Sequence, residues 1–413
     1  MSETKNFEWE AIIQTIKNDS IRIDKKGIDT PKSNESSAII ARAILGNKQG
    51  ISISSDSKNM KESLLQAKSI AKIMPDFEQM PKILSTEKFK KKTLTYKNFT
   101  EKKLIDSAQE IRNIAEAKAP LISLSLSKII YNTTYINSLG ARIELKKDAI
   151  AQSLSIGKGD RTGSNFSILN EKKFSPQSFC RHALMQYENS KKAAKPSQGN
   201  YPVIFCNSAA ESILSPILFS LQADNVCEKK SRYQEAMQKK ELSKDLTIID
   251  NPHEKNNKAY YDCEANKAKK TILVQNGIIN SFIHDSFTSK KLKMKNTHNS
   301  ASTSIKPSTS YHCVQIKGKD KLSQMIKSTK NGFIAYDTYP EHTINKITGA
   351  FGQNSSTLYH IKNGEIQGLC KGYVITGNSY ELFKQDLEIS KETRNDLASN
   401  VGAIKAKATI LKN

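Results

Sequence analysis

Residues 201–224, YPVIFCNSAAESILSPILFSLQAD, constrain the fold more than any other stretch. The run Tyr201-Pro-Val-Ile-Phe205 is short and apolar, as a buried strand is, and it leads straight into helix-start signals. Asn207 and Ser208 are good N-cap residues, and Glu211 is placed to complete a capping box. Apolar residues then recur at Ile213, Leu214, Ile217, Leu218 and Leu221, which is one face of a helix. Pro216 has no amide hydrogen, so the spacing predicts a helix that kinks or restarts there. A strand and helix this apolar belong to a core.

The chain has 413 residues, enough for two domains. Residues 188–200, ENSKKAAKPSQGN, are charged and small, with Pro and Gly, and form the clearest linker. The expected division is an N-terminal domain over 1–190, a linker over 191–200 and a C-terminal domain over 201–413. In the first part, residues 6–18 predict an amphipathic helix with Phe7, Ile12, Ile13 and Ile16 inward. A short strand follows at Ile21–Ile23, then two strands within 37–54 around the turn Gly46–Gly50. Helices are expected at about 58–74 and 101–118, with polar irregular chain between them. Strands at 128–137, 141–146 and 149–156 follow, the first two joined by the tight turn Asn137-Ser-Leu-Gly140. Gly157–Ser167 is glycine-rich but lacks the ending of a phosphate-binding loop, so a solvent loop is expected. A helix over 174–187 closes the half.

The second half turns β-rich. Asn276-Gly277 between two apolar runs is a strong hairpin signal, and Asn363-Gly364 repeats it, with a strand at Gly332–Tyr336 between. The expected fold class is α+β: an N-terminal mixed domain, then a curved antiparallel sheet or partial barrel around the 208–222 helix.

The formal net charge is +23, but only eight of the 64 basic residues are Arg, the residue that forks onto phosphate and guanine. The lysines are dispersed and no nucleic-acid-binding signature is present. A solvated lysine surface follows, with weak binding to polyanions and no specific nucleic acid. No apolar run approaches a membrane span, and the start MSETKNFEWE is polar and acidic, unlike a signal peptide. A cytoplasmic protein is expected. Six cysteines without any CxxC give neither a disulfide framework nor structural zinc spacing.

Several segments in series resemble one family. Asp262-Cys-Glu264 with Ala265, Asn276-Gly277, Ile347-Thr-Gly349, Asn363-Gly364-Glu-Ile366 and Thr376-Gly377-Asn378 follow the order found in the TldD/PmbA ("modulator of DNA gyrase") proteins, and Asn137-Ser-Leu-Gly140 resembles a turn of their N-terminal domain. Ala265 stands where the family's D-x-E-G has glycine. In the TldD branch the helix after the 201–205 strand carries HExxxH, two zinc ligands and a glutamate base, with a Cys ligand near the C-terminus. Here Ser215, Pro216 and Ser220 occupy those helix positions, and no Cys lies beyond Cys370. The resemblance is therefore to the PmbA/TldE-like branch that lacks the zinc motif. It implies a non-catalytic subunit with no cofactor of its own, zinc being held by a TldD-like protease partner, in a heterodimer or a homodimer, acting on unfolded peptides. Metallopeptidase activity is expected only with that partner. No catalytic or metal-binding residue is assigned to this chain. Asn137, Gly140, Asp262, Glu264, Gly277, Gly349, Gly364, Gly377 and Asn378 are expected to be structural.

Residue chemistry offers other centres. His253-Glu254 has Asn257 where a second histidine belongs. His298 and His312 flank a Ser/Thr-rich stretch expected to be a loop, and His284, His342 and His360 fall in expected strands or turns. Cys206, before a helix start, is the candidate nucleophile of an alternative, self-sufficient hydrolase. The remaining alternative is a basic nucleic-acid-binding protein.

Overall fold

The computed structural model describes residues 7–25, 27–28, 31–56, 59–76, 83, 90–94, 99–169, 174–254, 258–301, 308–338, 343–355, 357–395 and 399–412. Asn257, His342 and parts of the 75–100 and Ser/Thr-rich segments lie outside them.

The first half builds an eight-stranded sheet from β1 (Glu8–Asp24), β2 (Gly27–Ile28), β3 (Lys32–Leu45), β4 (Lys48–Ser54), β5 (Lys90–Leu94), β6 (Leu121–Asn137), β7 (Arg142–Lys158) and β8 (Arg161–Leu169). Its order is β4-β3-β1-β6-β7-β5, with β2 on β1 and β8 on β7. Helices α1 (Met60–Ile73), α2 (Glu101–Glu116) and α3 (Pro176–Ser190) accompany it. Residues 8–18 are strand, not the helix that their spacing suggests. β1 is paired along both edges, with β3 from Glu8↔Ile44 to Ser20↔Lys32 and with β6 from Glu10↔Asn137 onward. Two full ladders of hydrogen bonds outweigh a helical spacing, and the β-branched residues Ile12, Ile13, Thr15 and Ile16 suit a pleated strand. The glycine-rich 157–167 segment is likewise strand on both sides of a tight turn, Lys158↔Arg161 being the last pair. Gly163 is needed there, because a Cβ on it would meet the Ala183 carbonyl of α3 at 1.9 Å. Ile73 and Ile105 on these helices are exposed, although a helical spacing of the apolar residues would turn them inward; Ala67 and Ala71, and Ala108 and Ala115, let the helices lie close to the sheet instead.

The second half is a twelve-stranded sheet curled into a half-barrel. Its strands are β9 (Gly199–Phe205), β10 (Ile248–Asp250), β11 (Thr271–Gln275), β12 (Ile278–Ile279), β13 (Val314–Ile316), β14 (Asn331–Ala335), β15 (Ala350–Asn354), β16 (Leu358–Lys362), β17 (Glu365–Leu369), β18 (Tyr373–Asn378), β19 (Glu388–Asn395) and β20 (Ser399–Lys412). The long β20 is the spine, bonded to β9, β13, β18 and β19. All pairings are antiparallel except β13 with β20 and β9 with β14. Asn276-Gly277 and Asn363-Gly364 make the two expected hairpin turns, both residues of each at positive φ.

Helix α4 (Asn207–Ser220) lies against this sheet, with Ile213, Leu214 and Ile217 buried among Phe205, Phe333, Leu358, Ile404 and Ile410. The fold class is α+β, as the sequence predicts. Shorter helices α5 (Ala223–Cys227), α6 (Ser286–Lys291), α7 (Leu322–Ser328) and α8 (Ser379–Leu382) fill the connections.

Candidate functional site

Helix α4 neither restarts nor breaks at Pro216; it runs through to Ser220. A proline at 216 leaves the Ser212 carbonyl without its helical donor. The Ser215 hydroxyl supplies one, donating to Ser212 O at 2.8 Å. The N-terminus also departs from expectation. Cys206 is the N-cap residue and makes no side-chain cap bond. Ser208 Oγ instead donates to Asp337 at 2.9 Å, and Glu211 accepts from Ser399 on β20.

Ser220 is fully buried. Its hydroxyl lies 2.7 Å from the Tyr380 hydroxyl and accepts from Arg232 N at 3.3 Å. Tyr380 in turn reaches Lys346 O at 2.9 Å and Pro216 O at 3.2 Å. Thus the inner face of α4 at 216–220 is closed by a tyrosine.

The segments that carry the family resemblance in the second half hold that tyrosine. Asn378 caps α8 by accepting from Tyr380 N at 2.9 Å, and its amide donates to Thr348 O at 2.8 Å. Ser379 N donates to Gly349 O at 2.8 Å. Gly349 has φ +78°, and a Cβ there would stand 2.4 Å from the Tyr380 ring, so only glycine fits. Gly377 in β18 faces the Phe351 ring of β15. Gly364 and Gly277 sit in hairpin turns against Lys327 and Leu242. None of this was legible from the motifs singly; the buried Tyr380, two residues past Asn378, was missed.

A second cluster joins the two sheets. Asn137 Oδ1 accepts from Leu139 N and Ala141 N, with Gly140 at φ +84° closing the turn, and its amide donates to the Tyr135 hydroxyl at 3.2 Å. Tyr135 donates to Glu10 at 2.7 Å, and Glu10 pairs with Arg42 at 2.6 Å, all buried. Burial opposes the Arg42 charge, but Glu10 and then Glu264 hold its pKa above the ordinary value. Glu264 accepts from Ser286 N at 3.1 Å and from Ser286 Oγ at 2.5 Å. Burial, then Asp262 and Asp285, push its carboxyl up to about 8. Asp262 Oδ1 accepts from Glu264 N and Asn266 N, which forms a turn with Ala265 at φ +60°. The Glu10–Arg42 pair had no signal in the sequence, since each sits in a strand that reads as ordinary sheet.

The zinc of the catalytic branch does not fit this donor set. Ser215 is committed to a helix carbonyl, Pro216 has no donor atom, and Ser220 is bonded to a tyrosine. Among the described residues no three His, Cys, Asp or Glu side chains group as a metal ion needs. Cys206 is buried, and burial and then Asp337 push its thiol well above the ordinary range, the reverse of an activated nucleophile. His253 is exposed on its loop. His284 is buried with neither ring nitrogen bonded among the described residues, and burial lowers its pKa to about 4. His312 Nε2 donates to His298 O at 2.7 Å, and His360 Nε2 to Asn331 Oδ1 at 2.8 Å.

Comparison with known proteins gives concordant results. Residues 198–411 match the profile of the PmbA/TldA metallopeptidase C-terminal domain, and residues 9–71 that of PmbA/TldA metallopeptidase domain 1. An uncharacterized protein of Methanocaldococcus jannaschii is 25% identical over 97% of this chain and 95% of its own. A metalloprotease TldD homolog of Buchnera aphidicola is 26% identical over 58% of this chain, a match that spans 51% of that protein. The crystal structure of TldE from Thermococcus kodakarensis has the same fold, with TM-score 0.88 at 20% identity over 100% of this chain and 98% of that one.

Proposed function

Because the chain belongs to the PmbA/TldD metallopeptidase family, we propose that it is a non-catalytic, PmbA/TldE-like subunit that completes the peptide chamber of a zinc-bearing TldD-type protease. The observation that carries this reading is the Ser220–Tyr380 contact. Where the catalytic branch needs an imidazole aimed into an open site, this chain has a serine and a tyrosine bonded to each other, the tyrosine also to main-chain carbonyls and the serine to a main-chain amide. Proteolysis is a property of the pair in this reading. This chain contributes sheet edges along which an unfolded peptide backbone is held by β-augmentation. We place this chain in the cytoplasm and its domain boundary at 191–200; among the described residues no helix is long and apolar enough to cross a membrane.

The test is co-expression with a TldD-type zinc protease, followed by size analysis and a flexible-peptide cleavage assay. The two chains are expected to co-purify, and this chain alone to be inert with or without added zinc. Chelator-sensitive cleavage by the purified chain alone overturns the reading.

A further inference from the structure

Two adjoining cavities of about 500 and 470 Å³ open between the first sheet and loops of the second half. Gln14, Thr133, Leu145, Tyr261, Tyr311 and His312 line both, so they form one continuous cleft. Its floor is one face of the sheet, reached by residues two apart: Ile12 and Gln14 on β1, Thr133 and Tyr135 on β6, Ile143 and Leu145 on β7. The opposite face presents Ala41 and Ala43 of β3 and is covered there by α1.

The cleft is chemically divided along its length. One end is apolar, with Ile12, Ile40, Ile143 and an Ile53 that is 70% exposed. The other end gathers Lys92, Lys146, Lys147 and Lys258, with no acid among its lining residues. Lys92 and Lys258 are exposed, and neither has an ion-pair partner among the described residues; Lys147, two residues past Leu145 on the same face of β7, is partly buried. The one acid in the apolar half, Asp262, has its carboxylate turned to the main-chain amides of Glu264, Asn266 and Ser300. Like charges around a concave mouth focus a positive potential into it.

We propose that this cleft binds an extended peptide carrying both apolar and acidic side chains, and so selects acidic substrates for the protease pair. The proposal rests on the subunit reading above only in making that peptide a substrate. A single-stranded nucleic acid fits less well. It needs free aromatic faces and favours arginine. Here the Tyr260 ring is covered by Lys92, 5.5 Å from its centroid. No arginine lines either cavity.

The test is fluorescence anisotropy on the full chain with three labelled probes: an unstructured Leu/Glu peptide, its Leu/Lys counterpart and oligothymidine. The Leu/Glu peptide is expected to bind, more weakly as salt rises. Lys92→Ala and Lys258→Ala are each expected to weaken it about two- to fivefold, as loss of a solvent-exposed ion pair does. Ile53→Ser is expected to weaken it too, and Lys32→Ala, at the far end of β3, to leave it unchanged. Equal binding of the Leu/Lys peptide, tighter binding of oligothymidine through the same lysines, or indifference to both lysine variants each overturns the proposal. If the chain co-purifies with its partner but both lysine variants support normal cleavage of the Leu/Glu peptide, the groove falls and the subunit reading stands. If the chain cleaves alone, the subunit reading falls, and the anisotropy result still decides the groove.

Discussion

The hydroxyl of Ser220 and that of Tyr380, 160 residues apart in the chain, lie 2.7 Å from each other at the buried end of α4. Ser220 can donate to Tyr380, which leaves the tyrosine proton for Lys346 O at 2.9 Å or Pro216 O at 3.2 Å. The Tyr380 ring packs edge-on against Tyr233 at 5.8 Å, beneath the Arg232 guanidinium. One side chain therefore ties the helix, the turn at 345–349 and the start of α8 into a single unit.

Removing the tyrosine hydroxyl leaves the buried serine's proton without its acceptor and a main-chain carbonyl without its donor. Tyr380→Phe is expected to lower stability by about 1–3 kcal/mol, the cost of an unsatisfied buried group. Ser220→Ala should cost less, and the double variant less than the sum, with a coupling of about 0.5–3 kcal/mol. Urea unfolding of the four proteins measures this. Additive effects would mean that the two hydroxyls do not share a bond in solution.

Ser215 and Pro216 form a local pair of a different kind. If the serine hydroxyl replaces the donor that proline lacks, Ser215→Ala should cost about 1–3 kcal/mol in the parent chain. In a Pro216→Ala background the new amide can donate to Ser212 O, and the same serine change should cost almost nothing. Thermal unfolding of the cycle decides. An equal serine effect in both backgrounds would show that the 2.8 Å bond to Ser212 O has no such role.

Much of the second half was legible in the sequence because its punctuation is local. Asn-Gly at 276–277 and 363–364 dictates a turn whatever the surroundings. The 201–221 strand and helix are apolar enough to be core in any fold. The helix misread over residues 6–18 shows where local grammar stops. Phe7, Ile12, Ile13 and Ile16 keep a helical spacing, but the partners that make β1 a strand lie near residues 32–44 and 123–137. The same holds at the candidate site. Ser215 and Ser220 could be placed on a helix from spacing, but the residue that fills the space beside them comes from position 380. Nor does any pattern announce Glu10 with Arg42, since a buried ion pair is a property of two strands packed together.

Glu264 makes stability depend on pH in a stated direction. Its carboxyl is pushed from the ordinary 4.5 to about 8, by burial first and then by Asp262 and Asp285. A raised acid binds its proton more tightly in the folded chain, so this group's stabilisation is full below the unfolded value of 4.5 and is lost as pH rises through about 8. Glu264→Gln keeps a neutral, hydrogen-bonding side chain at every pH. The Tm of the variant minus that of the parent should therefore rise between about pH 5 and 9. A difference that is flat across this range would mean that the carboxyl is already ionised in the fold, held by Arg42.

Ala265 occupies the left-handed region at φ +60° and is buried beside Tyr135 and Ile143. The strain of that conformation is about 1–2 kcal/mol, which glycine would relieve. Against this, glycine gives up about 0.8 kcal/mol of buried methyl and about 0.4–1 kcal/mol through the freer unfolded chain. The terms nearly cancel, so Ala265→Gly should change stability by less than about 1 kcal/mol. Ala265→Val adds a β-branched clash to the same φ and should destabilise by several times as much. Chemical denaturation distinguishes them; a valine variant as stable as the parent would contradict the positive φ.

Writing the zinc motif back onto α4 should not make an enzyme. In Ser215→His/Pro216→Glu/Ser220→His, the imidazole at 220 must enter a fully buried position already closed by Tyr380. Overpacking there costs about 1–3 kcal/mol. Displacing the tyrosine frees the carbonyls of Lys346 and Pro216, each a further cost of similar size. Two histidines also lack the third protein ligand of a catalytic zinc site, and β20, which ends the described chain, offers no His, Cys, Asp or Glu between Ser399 and Lys412. The expected outcome is a lower Tm and no peptide cleavage with added zinc. Chelator-sensitive cleavage by the triple variant alone would show that the rest of a catalytic site survives around the helix, and that Tyr380 closes it only because Ser220 is small.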